Sequence, residues 1–231
     1  MLTLQLIENV KDVLSSVENI ENKLSSIEDI ENALQLKFYK QVTKPGIKNP
    51  VKFLQRWSYL STQVTRLAGA ALSRAHIAEI QYLLAEIAYS ECGLGNRDEM
   101  HSKLMIELIN KSPYADAITQ RLDTYFLNLF EETILELSQV SQEEAVGFIV
   151  SLEAPAYQIL ELLKQTSIAV GIPEMDFLNS KYFVIHDAME KEHQQSCNES
   201  MQVIVNNGLE LSKIYKGGEK GIKFLVEFLG C

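Results

Sequence analysis

The octapeptide His186-Asp-Ala-Met-Glu190-Lys-Glu-His193 sets an imidazole, a carboxylate and a second imidazole at positions i, i+4 and i+7. In a helix those positions share one face about two turns long. Neutral imidazole is a borderline donor, and carboxylate is a hard anionic one that offsets the charge of a bound cation, so this face suits a first-row metal. A solvated helix face is the competing reading, because Asp187, Lys191 and Glu192 are polar as well.

Two further segments carry groups that a helical core would otherwise avoid. Glu91 precedes and His101 follows the turn Gly93-Leu94-Gly95-Asn96, which lets the chain reverse so that both side chains reach one site. Taken singly, each also reads as an ordinary polar residue near a helix end. Glu153 lies among Phe148, Ile149, Val150, Leu152, Ala154 and Ala156. A carboxylate there is costly to bury unless it is protonated, paired or bound to a cation. Arg56, Arg66, Arg74 and Arg121 are the alternative partners. Three imidazoles and three carboxylates suit two metal ions with positions left open, whereas a closed structural zinc site more often uses cysteine.

The elements that must position these groups are helices. Glycine (11) and proline (5) are sparse in the 231 residues, apolar residues make up 46%, and no strand is expected. Punctuation at Pro45-Gly46, Asn49-Pro50, Gly93-Asn96, Ser112-Pro113, Gly171-Pro173 and Asn206-Gly208 divides the rest. Between these marks the apolar spacing predicts helices near 50–73, 75–92, 98–111, 115–139, 141–170, 174–206 and 208–229. Pro155 should kink the 141–170 segment beside Glu153. Upstream, Ser25-x-x-Glu28 has the form of a capping box and starts a helix running to about Val42. The stripe of apolar residues over 1–34 drifts around a straight helix, so residues 1–24 read as a separate helical extension, with a coiled-coil or partner-binding segment as the alternative. Residues 25–231 then form the main domain.

The net charge is -10, and no basic block could neutralise a run of phosphates, so nucleic acid and anionic membranes are poor partners. Cys92, Cys197 and Cys231 are odd in number and widely spaced, which fits a reducing compartment better than a disulfide framework. With no signal-like start and no apolar run of spanning length, the expectation is a cytoplasmic protein.

Two all-α folds could host six such ligands. A ferritin-like bundle uses two Glu-x-x-His motifs. Glu190-x-x-His193 is one and Asp98-x-x-His101 a variant of the other, but His186 then has no role. The set as a whole resembles the haem-oxygenase-like di-iron oxidases and the CADD-like (chlamydial death-domain-associating) proteins. Their last core helix carries His-x3-Asp/Glu-x2-His, matched by His186, Glu190 and His193, and Glu91, His101 and Glu153 match the remaining ligands. Glu stands at 190 where the family more often has Asp. The resemblance covers roughly residues 35–200, from Phe38-Tyr39 and the Lys-Pro-Gly turn onward.

That resemblance implies a haem-oxygenase-like bundle of about seven to eight helices, similar in architecture to the thiaminase II-like and PQQ-synthesis enzymes. It also implies two Fe ions (or Fe/Mn) without haem, and an oxidase or oxygenase acting with dioxygen on a small organic substrate. An external electron donor and a homodimer are the further candidate partners. In the CADD-like group a tyrosine is thought to be consumed to make p-aminobenzoate, with a lysine as amino donor. Tyr39 is at the corresponding place, and Lys164 lies near the family lysine but one residue displaced. The rival readings are that self-sacrificing synthase, a metal-free thiaminase II-like protein in which Cys92 would be the thiol to examine, and an interaction module built on the N-terminal stripe.

Overall fold

The computed structural model describes residues 26–208 and 210–230, apart from a few side chains in one long helix. The N-terminal extension expected over 1–24 lies outside the described residues. The first helix, α1 (Ile27–Phe38), is started by Ser26, whose hydroxyl accepts the Asp29 N–H while the Asp29 carboxylate accepts the Ser26 N–H. The capping box therefore sits one residue beyond the expected Ser25-x-x-Glu28. α1 runs into a π-helical turn over Tyr39–Thr43, closed by Lys44 N–H on the Tyr39 carbonyl at 2.7 Å.

The chain continues as α2 (Pro50–Leu72), α3 (Ala78–Glu91), α4 (His101–Ile109), α5 (Ala115–Ile118) and α6 (Thr124–Leu137). It then forms α7 (Gln142–Glu153), α8 (Ala156–Ala169), α9 (Glu174–Leu178), α10 (Lys181–Asn206) and α11 (Leu211–Leu229). No strand occurs among the described residues.

Two helices expected to be continuous are broken, each with a visible cause, and a third bends where a kink is expected. The 115–139 segment opens between Thr119 and Asp123, where Gln55 of α2 donates its side-chain amide to the Gln120 carbonyl at 3.0 Å. The 174–206 segment opens at Asn179-Ser180, because the Ser180 hydroxyl caps α10 by accepting the Phe183 N–H. The 141–170 segment bends by 43° at Ala154-Pro155, as the proline predicts. No single helix among the described residues is long and apolar enough to cross a membrane.

One continuous core runs through the molecule, with Phe38, Phe53, Phe130, Phe177 and Phe228 all fully buried. Its tightest seam joins α7 to α11. A Cβ added at Gly217 would stand 2.0 Å from the Glu144 carbonyl oxygen, and one at Gly147 would stand 1.9 Å from that of Ile214. The backbones thus touch where side chains would normally intervene, which holds α7 and its terminal Glu153 in place. An ion pair strengthens the seam. Burial alone would raise the Glu144 carboxyl, but Lys216 and Lys220 beside it hold it below the usual carboxylate range.

At the other side of the bundle Glu31 of α1 is half-buried against α10. With the Asn198 amide turned so that its nitrogen faces the carboxylate, the two lie 2.7 Å apart. Burial raises the Glu31 carboxyl from 4.5 to about 7, the Asn198 hydrogen bond opposes that rise, and Glu28 adds to it. The folded state thus takes up a proton that the unfolded chain gives away between these values. This contribution to stability is complete below about pH 4.5 and is lost as pH rises through about 7. Accordingly, the difference in thermal midpoint between wild type and Glu31→Gln should fall steadily from pH 5 to pH 8. Parallel pH curves for the two proteins would contradict this.

Candidate metal centre

α3 ends at Glu91, and the turn that follows uses positive φ at Gly93 (81°), Leu94 (51°) and Gly95 (89°). The turn folds tightly on itself, since a Cβ on Gly93 would meet the Asn96 carbonyl at 2.5 Å and the Met100 nitrogen at 2.7 Å. A non-glycine residue at positive φ is uncommon and costs strain, and Leu94 carries it next to the site. The product of this geometry is that His101, the first residue of α4, returns to Glu91.

His101 is 1% exposed, and its Nδ1 lies 3.0 Å from Glu91 Oε2. Despite that distance the nitrogen has no aligned hydrogen-bond partner. The two groups pair by distance without an aligned hydrogen bond, an arrangement that also suits two ligands of one shared cation. The His186 ring stands 4.3 Å from that of His101, and one ligand atom from each of Glu91, His101 and His186 falls within a 4.8 Å set. Donors each about 2.0–2.2 Å from a common ion stand at most ~4.4 Å apart, so a shift of a few tenths of an ångström closes the set around one cation. The residues fit a metal.

His186 is prepared for that role by its own helix. Its Nδ1 lies 2.7 Å from the backbone carbonyl of Tyr182, one turn earlier on α10. A carbonyl can only accept, so Nδ1 carries the hydrogen and Nε2 keeps the lone pair that a metal needs. Tyr182 is 1% exposed, and its ring lies 4.1 Å from the His186 ring. Its hydroxyl receives the Trp57 indole N–H from α2 at 2.9 Å. Sequence reasoning misses both Trp57 and Tyr182. The spacing of Tyr182, four residues before His186, is the signal that could have found it.

Glu153 is the last residue of α7, at the Pro155 bend, and lines the same cavity as Glu91, His101 and His186. Of the arginines that offered an alternative partner, Arg56 binds the Leu229 carbonyl and covers the Phe126 ring. Arg66 pairs with Glu131 through two bonds of 2.7 Å, and Arg74 binds the Val140 carbonyl. Glu190 and His193 follow His186 on α10, and their side chains lie outside the described atoms.

The cavity holds about 70 Å³. Tyr39 and Lys164 do not line it. Tyr39 opens the π-helical turn, and the Lys164 ammonium is turned to the Glu161 carboxylate, 3.0 Å away on the same helix. Asp98, needed by the ferritin-like alternative, is 90% exposed and pairs with Lys103. Cys92 is exposed beyond the end of α3.

Comparison with known proteins agrees with this architecture. A family model described as iron-containing redox enzyme matches residues 51–220, which include all six expected ligands. A crystal structure of a CADD-like protein of unknown function from Nostoc punctiforme superposes with a TM-score of 0.64. It is 14% identical and covers 96% of each chain. Another crystal structure of a CADD-like protein from the same organism gives a TM-score of 0.42 at 13% identity, over 88% of this chain and 99% of that one. No curated protein matches.

Proposed function

The chain belongs to the iron-containing redox enzyme family, and from that premise we propose that it is a non-haem di-iron oxidase or oxygenase acting with dioxygen on a small organic molecule. Glu91, His101, Glu153, His186, Glu190 and His193 are the proposed ligands. The observation that carries this reading is the convergence of Glu91, His101 and His186 around a buried His101 Nδ1 that has no hydrogen-bond partner. An orphaned buried nitrogen is costly to keep, and a cation beside it removes the cost.

Bound iron supplies the one-electron and dioxygen chemistry that side chains lack. The protein's own part is positional and electrostatic. Tyr182, through its carbonyl, fixes the His186 tautomer, and Trp57 in turn holds the Tyr182 hydroxyl. Three carboxylates offset three of the four positive charges of two divalent cations. Leu60, Val64, Leu152, Ile159, Leu160 and Leu163 wall off bulk water, which strengthens every interaction inside and protects a reactive site from side reactions.

Oxygen uptake by ferrous-loaded protein tests the reaction class. Wild type is expected to consume dioxygen on mixing, and Glu153→Ala should do so at least ~100-fold more slowly, since losing even an outer-shell partner of a metal ligand costs about 10–100-fold. Equal uptake by both proteins would remove Glu153 from the centre.

A further inference from the structure

The cavity is polarised, and its polarity names what it admits. Every acidic or basic side chain described on its wall belongs to the metal cluster: Glu91, His101, Glu153 and His186. Beyond these, the described polar groups are the Ser61 hydroxyl, the Tyr182 hydroxyl and the Trp57 indole, the last two already bonded to each other. The remaining wall is aliphatic, contributed by α2, α7, α8 and α11 through residues such as Val64, Leu152, Leu160, Leu163 and Leu225. Among the described residues no lysine or arginine lines it. Lys164, next in sequence to the wall residue Leu163, directs its ammonium to Glu161 instead.

We infer that the substrate presents a slender, uncharged aliphatic segment to this wall, with any polar end directed to the metal cluster. This inference rests on the cavity being the reaction chamber. A zwitterionic amino acid would bring a carboxylate together with its ammonium, and among the described lining residues no lysine or arginine offers that carboxylate a counter-charge. An aromatic ring is too large, because about 70 Å³ is less than half of the ~150 Å³ apolar cavity that takes up benzene. A short alkyl chain meets both limits. It could belong to a small free molecule or to the tail of a larger amphiphile.

Trp57 lines the cavity and is the single tryptophan of the chain, so its fluorescence reports occupancy directly. Full-length protein, before and after iron loading, would be titrated with linear alkanols from propanol to octanol, with norvaline zwitterion, with benzyl alcohol and with octanoate. The alkanols are expected to give a saturable Trp57 response whose Kd tightens about fourfold per added methylene until the chamber is full. A continued gain with octanol and octanoate points to an amphiphile tail, and a plateau at short chains points to a small free molecule. Leu163→Lys should weaken alkanol binding at least ~30-fold. Leu163→Met, which keeps an apolar wall and guards against a folding defect in the lysine variant, should stay within about threefold of wild type. Tighter binding of norvaline or benzyl alcohol than of any alkanol, a non-saturable response, or wild-type alkanol affinity in a folded Leu163→Lys would overturn the inference. The redox reading fails separately: alkanols that bind to a protein unable to hold iron leave the chamber intact and sink the di-iron proposal alone.

Discussion

Alanine at Gly217 is expected to destabilise the protein by about 3 kcal/mol, whereas the same exchange at Gly69 is expected to stabilise it by about 0.5–1 kcal/mol. Both glycines are inside helices, so intrinsic propensity favours alanine at each by about 1 kcal/mol. Surroundings decide the sign. Gly69 is exposed on α2 with nothing within 4 Å of an added methyl, so only propensity acts. At Gly217 the methyl would meet the oxygen, carbonyl carbon and Cα of Glu144 at 2.0, 2.6 and 2.7 Å. Those are backbone atoms of a second helix and cannot rotate aside, so α7 and α11 must separate. Because α7 ends in Glu153, Gly217→Ala should also weaken iron retention, which Gly69→Ala should leave alone. Denaturant unfolding of the three proteins checks the pair, and equal midpoints would contradict the seam.

The second large effect concerns His101. Exchange for leucine is expected to cost at least ~100-fold in iron affinity while leaving the metal-free protein as stable as wild type or more so. The buried Nδ1 makes no aligned hydrogen bond in the fold, so its loss removes a desolvation penalty and only the 3.0 Å contact with Glu91. A histidine with a purely structural role behaves oppositely: its removal would lower the thermal midpoint of the metal-free protein and leave iron affinity unchanged. Thermal unfolding without metal, set beside an iron titration of the same two proteins, separates these cases.

How much of this is legible in the sequence depends on the range over which each signal acts. The expectation that His186, Glu190 and His193 share a face is local, drawn from helical repeat alone, and of the three the structure describes the side chain of His186. Glu91 and His101 are legible because a glycine turn stands between them, and Pro155 marks the bend at Glu153. The breaks at Thr119–Asp123 and Asn179-Ser180 are not, because apolar periodicity continues across them and tertiary or capping hydrogen bonds decide the matter. Two overlapping capping boxes, Ser25-x-x-Glu28 and Ser26-x-x-Asp29, fit the α1 start, and the chain uses the second. The Trp57–Tyr182 bond spans 125 residues, beyond any local pattern. Glycines such as Gly147 and Gly217 read in one dimension as weak helix, and only the facing backbone shows why no larger residue fits there.

His186 is the residue whose place in the pattern separates this centre from a ferritin-like one. Anaerobic loading with ferrous iron, followed by metal analysis and Mössbauer spectroscopy of wild type and His186→Ala after exposure to air, tests the proposed di-iron centre most directly. Wild type is expected to hold about two irons per chain, with the quadrupole doublets of a coupled diferric pair, and the variant is expected to lose that signal. Less than about one iron in wild type, or the same loading and spectrum in both proteins, would contradict it.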